Sequence, residues 1–308
     1  MRYTVSTLAV FRGVGLHSGA TVTLRVVPAR AGSGIRFLRT DVTPGEGLIP
    51  ARYDLVTDTR LCTRLTNEHG VSVGTVEHVM AALAGTGITD ATLTLDGPEV
   101  PVMDGSARAF VAGFERVGLA ANGPAPTAIR IDRAVTVEHE GKRASLEPAA
   151  RFGVAFEIDF ADPAIGRQSV EVEMGGDAFR RELADCRTFG HLAEVEQLRA
   201  MGLARGGGLE NAIVVDRGRV LNPGGLRRAD EFVRHKALDA VGDLALAGAP
   251  IIGLYRGYKA GHDLTNRLLR ALFADPTSWS RAPLPAGAMR LGPMPSRRPV
   301  HAAERVAV

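Results

Sequence analysis

Arg234-His235-Lys236-Ala237-Leu238-Asp239 sets a histidine and an aspartate four residues apart. On a helix that spacing points both side chains the same way from successive turns. A neutral imidazole and a carboxylate on one face form half of a divalent-metal site, with zinc favoured. Asp243 extends the face by another turn. Taken alone, the pair is more commonly an exposed i,i+4 ion pair. Glu77-His78 lies in TVEHVMAALAG, near the start of a helix whose other positions are small and apolar. Neighbouring helical residues diverge by ~100°, so the two share no flat face. Both can still reach one ion in a cleft, one as ligand and the other towards the ion's water. A surface glutamate beside a satisfied core histidine is the alternative. His262, in Gly261-His262-Asp263, carries little signal by itself.

Together these residues specify more. Two histidines and one aspartate supply three protein ligands and leave a fourth position for water, as catalytic zinc requires. Zinc lowers the pKa of such a water to about 7. Glu77 can take its proton as general base. His262 can stabilise an oxyanion or protonate a leaving amine, with Asp243 holding it oriented and protonated. Thr188, in CRTFG, offers a hydroxyl to the oxyanion. The chemistry is metal-assisted hydrolysis of an amide or ester.

The elements that must position these groups are legible in outline. Alternation in Thr21–Val27 and Ala91–Gly97 predicts strands. Between them Thr75–Ala84 predicts a helix, and Ser106–Val117 a second with Ser106 as N-cap. The Pro/Gly cluster Asn122–Thr127 reads as a linker. Strands follow at Ala128–Ile131, Val135–Glu138 and Gly153–Phe160, then helices at Asp177–Asp185 and Leu192–Met201. Ala212–Val215 is a short strand, Asp230–Leu246 the longest helix, Ile251–Tyr258 a strand and Leu264–Phe273 a closing helix. Strands and helices do not alternate strictly, which argues for α+β rather than a doubly wound parallel sheet. No short-period repeat is present. Residues 276–308 are rich in Pro, Ala and Arg without periodicity and read as a poorly ordered tail.

The chain has 308 residues, enough for two domains or one large one. Its net charge of +3 and pI of about 9.1 invite a nucleic-acid or membrane reading. That surplus sits in the tail, where five arginines face Glu304 alone, leaving −1 for residues 1–275. With no five-residue Lys/Arg block, no nucleic-acid partner is expected. Cys62 and Cys186 are too few for a disulfide framework and read as reduced, buried thiols. No apolar run approaches the ~20 residues of a membrane helix, and the N-terminus lacks a signal-peptide core. A cytoplasmic protein is expected, monomeric because no heptad or large apolar stripe is left unassigned.

The segments GVGLHSG (13–19), TRLCTRL (59–65), GTVEHVMAALAGTGITD (74–90), PEVPVMDGSARAFV (98–111), CRTFG (186–190), DEFVRHKALDAVGDL (230–244) and YKAGHDLTN (258–266) recur in one order. In them the chain resembles the UDP-3-O-acyl-N-acetylglucosamine deacetylase family, zinc enzymes of the committed step of lipid A synthesis. The resemblance spans about residues 1–273. It implies a two-domain α+β sandwich, residues 1–122 and 128–275 joined by 123–127, with one catalytic zinc between them. It implies His78, His235 and Asp239 as ligands, Glu77 as base, and His262 supported by Asp243 as electrostatic or acid partner. Thr188 would contact the oxyanion, Lys236 the substrate's diphosphate and Phe189 the sugar nucleotide. Leu61 and Cys62 would neighbour the substrate. An inserted β-α-β element at about 190–215 would hold the acyl chain, with Leu192, Val195, Leu198, Met201 and Leu203 spaced to line the passage. Ordinary helix packing gives the same spacing. Arg60 and His191 depart from the apolar pattern there.

The activity expected from the resemblance is hydrolysis of the acetamide of a UDP-3-O-(3-hydroxyacyl)-N-acetylglucosamine, a glycolipid, to free amine and acetate. A zinc amidohydrolase of the same fold acting on another N-acyl sugar is the runner-up. A non-catalytic glycolipid-binding protein is disfavoured, because a decayed site would have lost at least one of Glu77, His78, His235, Asp239 and His262. No stable membrane insertion is expected, and the basic tail is the candidate for peripheral contact with an anionic membrane.

Overall fold

A computed structural model describes residues 1–284. Strands of the first half are β1 (Tyr3–Val5), β2 (Ala9–Val14), β3 (Thr21–Pro28), β4 (Ile35–Arg39), β5 (Leu48–Pro50), β6 (Val56–Asp58), β7 (Arg64–Thr66), β8 (Ser72–Val73), β9 (Ala91–Leu95) and β10 (Leu119–Ala121). Helix α1 (Glu77–Thr86) precedes β9, and α2 (Arg108–Val117) follows it. The second half carries β11 (Thr127–Ile131), β12 (Val135–His139), β13 (Lys142–Glu147), β14 (Gly153–Asp159), β15 (Arg167–Glu173), β16 (Phe189–His191), β17 (Ile213–Asp216), β18 (Arg219–Val220), β19 (Ile251–Ile252), β20 (Leu254–Tyr258) and β21 (Trp279–Pro283). Its helices are α3 (Ala178–Glu182), α4 (Leu192–Ala200), α5 (Glu231–Ala245) and α6 (His262–Ala274).

Each half is built on a five-stranded sheet, and the two sheets share one topology. In the first, order β2-β3-β9-β4-β5, the late strand β9 inserts between β3 and β4. In the second, order β12-β13-β20-β14-β15, the late strand β20 inserts between β13 and β14. In both, the inserted strand is parallel to one neighbour (β4·β9, β14·β20) and every other pairing is antiparallel. A helix precedes each inserted strand and another follows it. The mixed, segregated arrangement is α+β. The equivalent helices α1 and α5 pack against each other. Both are mostly buried, as expected for α1, which is apolar nearly all round. One continuous core joins residues of both halves.

Several sequence expectations change in detail. Ile251–Tyr258 is two strands, not one: β19 pairs with β11, whereas β20 enters the five-stranded sheet. The break is at Gly253, where a Cβ would press against Ile131 and the Glu147 carbonyl. Ser106 lies one residue before the N-cap Ala107 of α2, although its hydroxyl accepts the Arg108 N–H (3.2 Å). His262 is not in a loop but is the first residue of α6. The poorly ordered tail cannot begin at 276, because β21 runs antiparallel to β11 along Thr127–Ile131. Residues 285–308 lie outside the described part. β16 and β17 are parallel and are linked through α4, a β-α-β unit at the expected insert.

Candidate active site

Helix α1 begins in a strained turn. Thr75, a β-branched residue, has φ +55, a region such residues rarely enter. Its hydroxyl donates to Glu99 Oε1 (2.7 Å), and Glu99 also accepts the N–H groups of His17 and Ser18 (both 2.9 Å). Burial opposes ionisation of Glu99, but these bonds prevail and hold its carboxyl below the usual range. The buried carboxylate ties the GVGLHSG segment to the turn that delivers Glu77 and His78. Among the described residues, neither ring nitrogen of buried His17 has a hydrogen-bond partner.

Helix α5 lies close enough to α1 that a Cβ at Gly242 would overlap the Glu77 carbonyl oxygen. It presents His235, Asp239 and Asp243 on successive turns, all buried. Asp239 Oδ1 is 3.5 Å from His78 Nε2 and 3.3 Å from His235 Nε2. The same oxygen is buried without a hydrogen-bond partner. Burial and the neighbouring His78 keep His235 neutral, its pKa pushed down to about 3, against the opposing pull of Asp239. Its Nδ1 faces the Cys186 carbonyl at 3.1 Å. Burial disfavours charge on Asp239, but the cationic Lys236 and His262 nearby hold it ionised, well below the usual carboxylate range. Two imidazoles, that of His235 held neutral, and an ionised carboxylate with an unclaimed oxygen fit a divalent ion of zinc's preferences. Among the described residues, His78, His235 and Asp239 form a group whose ligand atoms lie within 4.8 Å of one another.

Beside this group stand Glu77 and His262. Glu77 Oε1 is 4.0 Å from His262 Nε2. Burial raises the Glu77 pKa above its usual value, with His262 and His78 opposing. His262 Nδ1 is held by Asp243 Oδ2 at 2.8 Å. Burial opposes its charge, but Asp243 and Glu77 raise its pKa to about 9, so it is cationic at neutral pH. Thr63 joins the two carboxylates: its N–H donates to Glu77 Oε2 (3.0 Å) and its hydroxyl to Asp243 Oδ1 (2.6 Å). A buried carboxyl, a cationic imidazole and a group able to hold a metal, set side by side, have the chemistry to activate water and protonate a leaving group.

The deciding comparison is with known proteins. A family model described as "LpxC: UDP-3-O-acyl N-acetylglycosamine deacetylase" matches residues 2–274. The chain belongs to this deacetylase family. Among its relatives, the UDP-3-O-acyl-N-acetylglucosamine deacetylase of Phenylobacterium zucineum is 52% identical over 278 residues, 90% of this chain and 95% of the relative. The one from Myxococcus xanthus is 50% identical over 280 residues, covering 91% and 88%. The one from Shewanella loihica is 48% identical over 278, covering 90% of each.

The other residues expected at the site of this deacetylase-family chain take up different environments. Thr188 leads into β16, its N–H bonded to the Gly105 carbonyl (2.8 Å) and its carbonyl accepting the Ile213 N–H (2.7 Å). Gly105 has φ +80, and a Cβ there would overlap the Asn211 carbonyl, which accounts for the glycine in PVMDGSA. Lys236 donates to Asp239 Oδ2 (3.0 Å) and lies 6.0 Å over the Phe189 ring. Phe189 packs edge-on against Phe232, centroids 4.9 Å apart. Cys62 is buried, and burial together with Glu77 pushes its thiol up to about 12, so it is no nucleophile. Leu61 is 40% exposed. Arg60 is turned outward in a bidentate pair with Asp58, and His191 is half-buried, 6.2 Å from Phe160. On α4, Leu192, Val195 and Leu198 are half-buried and none of its residues is buried. Thr63, inside TRLCTRL, carries no signal of its own in the sequence, because its partners Glu77 and Asp243 lie on other elements. Glu231 and Arg187 carry none either, their pairing being visible only in three dimensions.

Proposed function

We propose that the chain is a zinc-dependent deacetylase that hydrolyses the acetamide of UDP-3-O-(3-hydroxyacyl)-N-acetylglucosamine to the free amine and acetate. This is the committed step of lipid A biosynthesis, carried out in the cytoplasm by a monomer of two domains, residues 1–122 and 128–275. The observation that carries the reading is the convergence of His78 Nε2, His235 Nε2 and Asp239 Oδ1 beside the Glu77–His262 pair.

His78, His235 and Asp239 would hold the ion. When bound, it supplies Lewis acidity to water and to the acetamide oxygen. Glu77 takes the proton of the attacking water on Oε1. Thr63 N–H fixes the other oxygen and so aims the base. His262, kept cationic by Asp243, offers its Nε2 proton to the leaving amine. Thr188 contributes its hydroxyl to the developing oxyanion. Lys236, tied to Asp239 and stacked over Phe189, places an ammonium beside an aromatic face, a combination suited to a sugar diphosphate. The half-buried Leu192, Val195 and Leu198 of the β-α-β unit would receive the acyl chain.

The test measures bound zinc and acetate release for the wild type and Glu77→Ala. Expected are full zinc content in both and an activity lower by ~10²–10⁴ in the variant; undiminished activity would sink the mechanism. A substrate analogue lacking the 3-O-acyl chain should react far more slowly, and equal rates would favour an amidohydrolase of another N-acyl sugar.

A further inference from the structure

We propose that the buried Glu231–Arg187 pair is a positioning device for the candidate metal site: it clamps the Cys186–Arg187 peptide so that its carbonyl fixes the ring and tautomer of His235. The inference rests on the reading of His235 as a ligand and goes one layer outward from it.

A single peptide plane is gripped at both ends by one helix. Its carbonyl, on Cys186, lies 3.1 Å from His235 Nδ1. Its N–H, on Arg187, donates to Glu231 Oε1 at 3.0 Å. Glu231 and His235 are four residues apart on α5, so one face of the helix reaches both ends. The Arg187 side chain then returns to the same carboxylate, Nε to Oε1 (2.9 Å) and Nη2 to Oε2 (3.1 Å). Arg227 N–H donates to Oε2 (2.6 Å), and Arg187 Nη2 also reaches the Gly225 carbonyl (2.8 Å). Glu231 has no exposed surface and Arg187 keeps 9%. With four bonds in the interior, this carboxylate has one place to be.

The consequence for His235 is chemical. A carbonyl oxygen only accepts, so Nδ1 must carry the ring proton, which leaves the Nε2 lone pair facing Asp239 and His78. Were the peptide to turn over, its N–H would face Nδ1 and favour the opposite tautomer, with a proton where a ligand lone pair is needed. Glu231 opposes that turn, because the carbonyl would then face a carboxylate. Thr188 and Phe189 follow at once in the chain, so the same grip sets the start of β16.

The experiment uses the full chain, with Glu231→Gln and the conservative Arg187→Lys. Zinc affinity is read by competition with a chelator, and the His235 tautomer by ¹⁵N NMR of zinc-free protein. Thermal unfolding of the zinc-free protein reports stability separately. Glu231→Gln is expected to lower zinc affinity by ~10–100-fold and to mix the His235 tautomers. Arg187→Lys keeps the backbone N–H and a charge, and should keep most of the affinity. A Glu231→Gln chain that unfolds earlier but binds zinc like the wild type, with its tautomer unchanged, would overturn the inference. Should that variant fail to fold, the wild type decides: zinc-free His235 must carry its proton on Nδ1, and a proton on Nε2 would overturn the inference. His235→Ala separates the two levels. If it bound zinc as tightly as the wild type, the ligand reading itself would have failed, and the inference with it.

Discussion

Glu77 and His262 face each other across 4.0 Å, and the cleft raises the proton affinity of both. For Glu77 the cause is burial, which moves its pKa up from 4.5. For His262 it is the pair with Asp243, which overcomes burial and raises the value to about 9. The proposed mechanism needs Glu77 ionised and His262 protonated, so the signs are opposite. Acetate release should rise with pH through a value above 4.5 and fall again as pH passes about 9. His262→Gln should lower kcat by ~10²–10⁴ and remove the alkaline fall; a fall that persists near 9 would assign that limb to another group. Thr63→Val keeps the N–H to Glu77 but deletes the donor to Asp243 Oδ1. It should cost about 1–3 kcal/mol in denaturant titration while leaving zinc content intact. His235 and Asp239 were legible as a pair because helix geometry maps i,i+4 onto one face without tertiary knowledge. Thr63 was not, because its two partners are 14 and 180 residues away.

At the scale of elements, the site depends on how closely α1 and α5 approach. Gly242 permits that approach, since any Cβ would meet the Glu77 carbonyl and the Ala81 N–H of the facing helix. Gly242→Ala gives α5 a better helix former, worth about 1 kcal/mol by propensity alone. The overlap should outweigh this, for a net loss of about 1–3 kcal/mol and weaker zinc binding, because His78 and His235 move apart. A variant more stable than the wild type would show that the helices can slide without penalty. The same helices show what sequence can and cannot specify. Their existence followed from composition and period: Thr75–Ala84 was expected and Glu77–Thr86 found, Asp230–Leu246 expected and Glu231–Ala245 found. Their mutual packing did not follow, because nothing local says which glycine faces a neighbouring backbone. Ile251–Tyr258 failed for a similar reason. A mostly apolar stretch looks like one strand until Ile131 fills the space beside Gly253.

Across the whole molecule, the repeated sheet topology puts α1 and α5 in equivalent places, each before the strand inserted at its sheet's centre. No short repeat betrays this in sequence, since the halves share connectivity and not spacing. The second half completes its structure late: β21 pairs with all five residues of β11 and brings Ala282 against Ala128 and Ile252. Ending the chain at residue 275 would strip that pairing, so its Tm should fall below that of the full chain. The proposed ligands divide across the equivalent helices, His78 on α1 and His235 with Asp239 on α5. An ion held there joins the halves through their closest contact. An ion that binds only the folded chain stabilises it by RT ln(1 + [L]/Kd), about 2.7 kcal/mol at a hundredfold excess over Kd. Calorimetry should therefore show Tm climbing with zinc and returning on chelation, in a transition that stays single because the core is continuous across the halves. His235→Ala should abolish the climb, whereas Glu77→Ala should keep it. Two separated transitions in the zinc-free chain would mean that the halves unfold independently and that the ion, not the α1–α5 packing, couples them.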